Sequence, residues 1–292
     1  MKFALIGHPV SHSLSPVIHQ AAYRELGLGH HYELIDAGSE AEVDRAVEQL
    51  RSGQLAGINV TIPWKRRACA AADRRSALAE RLGVANVLAP EAGGITAHNT
   101  DALALEAEFK RLASTPRAIL LGSGGAAAAV VAACQAAGIA DVIVTARRYL
   151  PDVPQASWPG AAELSRLGAR LLRWPAASAE AARAFEQQLP TTGLLVQCTS
   201  AGMQGADSGE PLAALVPWQL LPSDALAYDL VYVPLETPFL RAARSAGRRA
   251  AHGLDMLVGQ ALLAIEIWLG QRPPVEPLRH AALQALEARR RA

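Results

Sequence analysis

Apolar residues along this chain fall into two alternating patterns. Short continuous runs, closed by glycine, proline or charged residues, predict strands at 3–6, 32–35, 57–60 and 86–89. Between them, apolar positions recur at helical spacing. A helix is predicted over 16–26, with Pro16 suited to its first turn and Ser15 available to cap it. Another is predicted over 41–50, where acidic residues near the start complement the helix dipole. The stretch 65–82 is helical in composition, in two pieces. Strand and helix patterns in alternation predict an α/β fold.

The second half repeats the alternation with longer elements. A helix is predicted from Ala102 to about Leu112, a strand over 118–121, a helix over 126–137 and a strand over 142–145. Runs at 194–197 and 225–230 read as further strands of the same sheet, and 253–269 and 277–291 as helices. Residues 149–165, with three prolines, read as a loop or weak helix. No internal repeat or charge run interrupts the chain.

The turn between the strand 118–121 and its helix reads Gly122-Ser123-Gly124-Gly125-Ala126-Ala127. Glycine first permits a tight turn, glycine third lets a pyrophosphate approach the backbone, and the sixth position must be small for the helix to pack on the strand. The helix N-terminus then offers free N–H groups and positive dipole to phosphate. This is a dinucleotide fingerprint in its proper strand–turn–helix context. The following strand ends in Thr145-Ala146-Arg147-Arg148. An acidic residue there would bind a ribose 2′-hydroxyl, whereas arginine accommodates a 2′-phosphate and can stack on adenine. The expected cofactor is therefore NADP (NADPH) rather than NAD.

Composition narrows the class. The 292 residues suffice for two domains, and 51% hydrophobic with 19% charged residues is a globular balance. A net charge of +1, from 28 basic and 27 acidic residues, argues against a nucleic-acid partner. Cys69, Cys134 and Cys198 are odd in number and widely spaced, which argues against a disulfide framework or a zinc site; no metal is expected. The apolar stretch 256–269 contains Gln260 and Glu266 and is too short to span a bilayer. A soluble cytoplasmic protein acting on a small molecule, with no membrane partner, is the expectation.

Polar residues at strand ends are where α/β proteins place ligand contacts. Asn59-Val60-Thr61-Ile62-Pro63-Trp64-Lys65 joins a strand to a helix start, and Asn99-Thr100-Asp101 precedes another helix. Reducing a ketone with a nicotinamide needs a proton for the developing alkoxide, and a lysine ammonium beside a carboxylate can supply it. Taken alone, Lys65 reads equally as a solvated helix-start lysine and Asp101 as an N-cap for the helix from Ala102.

Seven blocks in order bear on these readings. Gly7-His8-Pro9-Val10-Ser11-His12-Ser13-Leu14-Ser15-Pro16, the two segments just quoted, and Gly122-Ser123-Gly124-Gly125-Ala126 are the first four. Thr199-Ser200-Ala201-Gly202-Met203 is the fifth, and Tyr228-Asp229-Leu230-Val231-Tyr232-Val233-Pro234 with Thr237 the sixth. Gly253-Leu254-Asp255-Met256-Leu257-Val258-Gly259-Gln260-Ala261 closes the set. Together they resemble the shikimate dehydrogenase family. The resemblance implies an N-terminal α/β substrate domain over 1–101, joined by C-terminal helices over about 254–292, and a Rossmann NADP domain over 102–253, with the active site in the cleft between them. It implies reversible reduction of 3-dehydroshikimate to shikimate, with Lys65 and Asp101 catalytic. Substrate contacts would come from Ser13, Ser15, Thr61, Lys65, Asn86, Asp101, Tyr232 and Gln260. Cofactor contacts would come from Gly122, Ser123, Gly124, Gly125, Ala126, Thr145, Arg147, Arg148, Thr199, Val231 and Gly253. A monomer or homodimer is implied. His8, Ala97, Ala104, Ala128, Ala146 and Gln197-Cys198 depart from the family pattern, and Ala128 removes an arginine of the phosphate loop. A quinate or aminoshikimate paralogue, and a non-catalytic ligand sensor on the same scaffold, are the alternatives. Ser13-Leu14-Ser15 favours shikimate over quinate, and retention of both Lys65 and Asp101 argues against a sensor.

Overall fold

Each apolar run of the N-terminal half becomes a strand, and the helical patterns between them pack on the sheet's faces. The structure is a computed structural model describing residues 1–91, 93–150 and 152–291, the last two by backbone alone. Pro151, within the loop expected over 149–165, and Ala292, at the end of the expected C-terminal segment, lie outside the described residues.

In chain order the elements are β1 (Lys2–Gly7), α1 (Ser15–Glu25), β2 (His31–Asp36), α2 (Glu40–Arg51), β3 (Gly57–Val60), α3 (Lys65–Ala71), β4 (Arg74–Arg75), α4 (Ala77–Leu82), β5 (Val87–Glu91), β6 (Gly94–His98) and α5 (Thr100–Leu112). There follow β7 (Arg117–Leu121), α6 (Ala127–Ala136), β8 (Asp141–Thr145), α7 (Ala161–Arg166), β9 (Arg170–Leu172), α8 (Ala179–Glu186), β10 (Leu194–Gln197), α9 (Glu210–Ala214), β11 (Leu226–Asp229), α10 (Pro238–Ser245), β12 (Arg249–His252), α11 (Leu254–Leu269) and α12 (Val275–Arg291). The chain divides into one unit of Met1–Ala104 with Met256–Ala292 and a second of Leu105–Asp255.

The first unit is built on a six-stranded mixed sheet, ordered β2-β1-β3-β5-β6-β4. β1 runs parallel to β2 and β3, while β5 is antiparallel to both β3 and β6. The central strands β1 and β3 are buried almost throughout, as their largely apolar sequences require, with Asn59 the polar residue within β3. α2 buries Val43, Ala46, Val47 and Leu50, an i, i+3, i+4, i+7 stripe, against Ile58, Val60 and Leu88 of the core. Truncating a residue such as Leu50 to alanine would cost about 2–5 kcal/mol. A second patch holds Phe3, His19, Tyr23 and Trp268 together, with Phe3 and Trp268 stacked at 4.9 Å. Gly57 is required here, because a Cβ would collide with the Trp268 indole. That indole donates to Leu88 O at 3.1 Å and ties α11 to β5. α12 packs on α1, and Arg289 donates to the carbonyls of His12 and Ser13 at 2.7 and 3.2 Å.

In the second unit all strands are parallel, in the order β12-β11-β10-β7-β8-β9. This is the doubly wound Rossmann order, whose direction of winding reverses between β7 and β10. α6 is apolar all round, and every residue from Ala127 to Cys134 is buried. The opposite face packs Phe185, Leu212, Trp218 and Phe239 against β7, β10 and β11.

Two expected caps are corrected. Ser15 does not cap α1: Leu14 occupies the N-cap, and Ser15 N donates to Ser13 Oγ at 3.1 Å. Asp101 does not cap α5, which starts one residue earlier; Asn99 Oδ1 accepts from Ala102 N at 3.0 Å instead. Both displaced side chains are thereby left for other partners.

Candidate active site

Three strand ends and two helix starts of the first unit build a polar cluster. β3 runs into Thr61, whose N–H donates to Ile6 O at 2.8 Å, and His8 N donates to Ile62 O at 2.9 Å. The C-terminal ends of β1 and β3 are thus stitched together just before α3 opens at Lys65. Asn86 immediately precedes β5, and its backbone is fixed twice, by donation to His98 O at 3.0 Å and acceptance from Val60 N at 2.9 Å. Asp101 lies in the first turn of α5, where the dipole favours a carboxylate.

These placements bring four expected site residues into one network. Lys65 Nζ donates to Asp101 Oδ2 at 2.5 Å, with side chains 21% and 12% exposed. Asn86 Nδ2 donates to Asp101 Oδ1 at 2.9 Å, to Thr100 Oγ1 at 2.8 Å and to Gln260 Oε1 at 3.3 Å. Asn86 Oδ1 accepts from Thr100 N at 2.7 Å. Gln260, buried on α11, donates in turn to Leu257 O at 2.8 Å. One Asp101 oxygen therefore faces lysine and the other faces the amide, which fixes the carboxylate plane. The lysine ammonium has three protons, of which Asp101 takes one.

Ser13 and Ser15 stand at the start of α1, Ser15 buried and Ser13 partly so. Arg289 holds their loop through the two carbonyl contacts described above. Two hydroxyls at a helix N-terminus form a site suited to an anion. Thr61, partly exposed, follows β3 four residues before Lys65. Tyr232 belongs to the second unit and is partly buried.

In the second unit the glycine turn sits at the reversal point of the sheet. Gly122 has φ +118°, and a Cβ there would lie 2.7 Å from Thr199 Cγ2 and 3.2 Å from the Cys198 carbonyl. Only glycine fits. Gly124 and Gly125 are exposed, and nothing lies within 4 Å of the Cβ position at Gly125. Ala126 leads into α6. The turn is thus an open backbone cradle before a ten-residue helix, as a pyrophosphate needs. Thr199 is held by donation of its N–H to Gln197 Oε1, and its Oγ1 accepts from Ala201 N at 3.1 Å. Gly253 N donates to Val231 O at 3.3 Å, so these two expected contacts are adjacent. Arg147 and Arg148 are both exposed at the end of β8, and Arg147 pairs with Asp207 at 3.3 Å. A pair this exposed is weak and yields readily to a phosphate. One expected contact is engaged internally: Thr145 Oγ1 donates to Arg173 O at 3.0 Å. The Ser123 hydroxyl is buried. Among the described residues no group of three or more histidine, cysteine or acidic side chains could hold a metal, and the three cysteines are buried and free. No helix among the described residues is long and apolar enough to cross a membrane.

The family model for the shikimate dehydrogenase substrate binding domain matches residues 5–88, and that for the shikimate 5′-dehydrogenase C-terminal domain matches 253–283. The shikimate dehydrogenase (NADP(+)) of Symbiobacterium thermophilum is 37% identical, over 97% of this chain and 94% of that protein. That of Mesorhizobium japonicum is 38% identical, over 94% of this chain and 92% of the relative. The chain belongs to the shikimate dehydrogenase family. Its fold is also similar to the crystal structure of shikimate 5-dehydrogenase from Thermus thermophilus in complex with NADP(H) and shikimate, with TM-score 0.79, 33% identity, and coverage of 98% and 99% of the two chains.

Within the shikimate dehydrogenase family pattern, several residues of the network were not singled out from the sequence. Thr100 completes the hydrogen bonds of Asn86, and Arg289 braces the serine loop from the far end of the chain. Tyr32 and Asn59 continue the network inward: Tyr32 Oη donates to Asn59 Oδ1 at 2.6 Å, and Asn59 Nδ2 donates to Asn86 O at 3.3 Å. Asn59 carries a signal in hindsight, being a polar residue inside an otherwise apolar buried strand. Tyr32 and Arg289 carry none.

Proposed function

We propose that this member of the family is an NADP-dependent shikimate dehydrogenase, reducing 3-dehydroshikimate to shikimate reversibly and using Lys65 and Asp101 to handle the proton. The observation that carries the proposal is the 2.5 Å Lys65–Asp101 pair, locked in orientation by Asn86. When bound, NADPH supplies the hydride. Lys65 Nζ gives its proton to the oxygen that becomes the alcohol, and Asp101 keeps the ammonium in place and offsets its charge. In the oxidative direction Lys65 accepts that proton. Asn86, Gln260 and Thr61 orient the ring hydroxyls, and Ser13 and Ser15 receive the substrate carboxylate. Tyr232 contributes a further substrate contact.

The glycine turn fits the cofactor's pyrophosphate, because its backbone is open where a side chain would block approach. Gly122 through Ala126, Thr199, Val231 and Gly253 would hold the dinucleotide, with Thr145 shaping the end of β8. Arg147, with Arg148 beside it, would meet the 2′-phosphate. A cytoplasmic monomer or homodimer accompanies this reading.

The test is a kinetic panel: shikimate, quinate and aminoshikimate, each with NADP⁺ and NAD⁺. The highest kcat/KM is expected for shikimate with NADP⁺. A preference for quinate or aminoshikimate would transfer the assignment to a paralogous activity, and no turnover with any pair would overturn it.

A further inference from the structure

Beneath the catalytic pair lies a buried line of side chains, of which Tyr32 and Asn59 are not themselves employed by the proposed reaction. It begins at Tyr32 on β2, 7% exposed, whose hydroxyl donates to Asn59 Oδ1 at 2.6 Å. Asn59, 3% exposed at the centre of β3, donates to Asn86 O at 3.3 Å. Asn86, 3% exposed, donates to Asp101 Oδ1 at 2.9 Å, and Asp101 accepts from Lys65 at 2.5 Å. We propose that Tyr32 is a positioning residue for the Lys65–Asp101 pair, acting through Asn59 and Asn86. The inference rests on the catalytic reading of that pair.

Directionality is what makes the line more than a set of satisfied polar groups. A carboxamide has one accepting and one donating end. For Asn59 to donate to the Asn86 carbonyl, its oxygen must point the other way, into the buried interior toward Tyr32 and His19. The Tyr32 hydroxyl is the donor found there. Without it the buried oxygen loses its 2.6 Å donor, and the amide is held less firmly in the orientation that reaches Asn86. Asn86 is the hub: its one amide group meets Thr100, Asp101 and Gln260 together, and its oxygen accepts from the Thr100 N–H. A small shift of Asn86 therefore moves the plane of the Asp101 carboxylate, and with it the direction from which lysine presents its proton. Proton transfer is sensitive to displacements of this size.

Tyr32 is itself fixed from behind. The His19 ring lies parallel to it, with centroids 4.0 Å apart and planes at 13°. The Ser15 hydroxyl stands close enough to oppose the upward push that burial gives the phenol. The same tyrosine thus packs on α1, the helix whose start is expected to receive the substrate carboxylate, and heads the line that leads to the catalytic carboxylate.

Tyr32→Phe removes one oxygen and leaves the stack with His19 in place. The measurement is kcat and KM for shikimate and NADP⁺ in wild type, Tyr32→Phe, Lys65→Ala and the double variant, with urea midpoints to verify folding. Expected is a loss in kcat of about five-fold, the worth of one hydrogen bond, with KM for NADP⁺ within about two-fold. In the Lys65→Ala background the Tyr32 substitution should change nothing further, because the residue it serves is gone. Unchanged kcat in Tyr32→Phe, or an undiminished five-fold loss in the Lys65→Ala background, would overturn the inference and leave the pair's own role intact. Wild-type turnover in Lys65→Ala alone would instead overturn the reading on which it rests. If Tyr32→Phe does not fold, Asn59→Leu cuts the line at its next link and is judged by the same criteria.

Discussion

His19 gives the first unit a defined sensitivity to acid. Its ring is wholly buried between Tyr32, Tyr23 and Trp268, and neither ring nitrogen has a hydrogen-bond partner. Burial lowers its pKa from 6.5 to about 3, with the Asn59 side chain opposing the shift. The unfolded chain therefore binds a proton between pH 6.5 and about 3 that the folded chain refuses. Stability from the neutral ring is complete above pH 6.5 and is lost as pH falls toward 3. Each pH unit within that window costs about 1.4 kcal/mol, so acidification from pH 7 to 4.5 should remove between about 2 and 3 kcal/mol through this residue alone. His19→Phe keeps an aromatic ring against Tyr32 and cannot titrate. The assay is native-state hydrogen exchange of the β1 amides, which report opening of the first unit, in wild type and variant at both pH values. The stability difference should move in the variant's favour by that amount on acidification. Parallel losses in the two proteins would refute the reasoning, since all other titrations are common to both.

Asp229 carries the opposite sign. Burial raises its pKa to about 6, against hydrogen bonds from Thr237 Oγ1 at 2.6 Å and Val231 N at 2.9 Å. The folded state holds this proton more tightly than the unfolded chain, so stability present below pH 3.8 is lost as pH rises through 6. Asp229→Asn should gain about 2 kcal/mol relative to wild type between pH 4 and 7, read by urea unfolding; a pH-independent difference would contradict this. Arg147→Ala should weaken NADPH binding about ten-fold or more, the worth of a charged hydrogen bond, and leave NADH binding nearly unchanged. Fluorescence titration with each dinucleotide reads the difference, and equal losses would remove the 2′-phosphate argument.

The elements legible in the sequence are those whose pattern is set by burial. β1, β3, β7 and β8 are mainly apolar runs because they lie inside sheets covered by helices, and α2 shows its stripe because one face is wet. β6, Gly94–His98, was not expected: it alternates weakly and contains glycine and histidine, and is defined by antiparallel pairing with β5. β12 reads Arg-Ala-Ala-His, with no β-branched residue, and owes its extension to its parallel partner β11. The short helices α7 to α10 are too brief for a period to register. In the candidate site, the glycine turn is local in sequence and could be read directly. Lys65, Asp101, Asn86 and Gln260 are far apart in sequence, and their meeting is a product of the β3–β5 pairing and of α11 packing back on the first unit. Their roles came from family resemblance and not from spacing. The caps differ for a physical reason: Leu14 takes the N-cap of α1 while Ser13 Oγ accepts from Ser15 N, and Asn99 Oδ1, two residues before Asp101, accepts from Ala102 N in the first turn of α5.

Turnover of Lys65→Ala, set beside its affinity for shikimate, tests the central claim most directly. The ammonium at this position is asked to give a proton in reduction and take one in oxidation, help worth about 10²–10⁴-fold in rate. The account predicts a fall in kcat of that size in NADP⁺-linked shikimate oxidation, with the dissociation constant for shikimate, measured by calorimetry, changed far less. Near-normal kcat in a folded Lys65→Ala protein would contradict it.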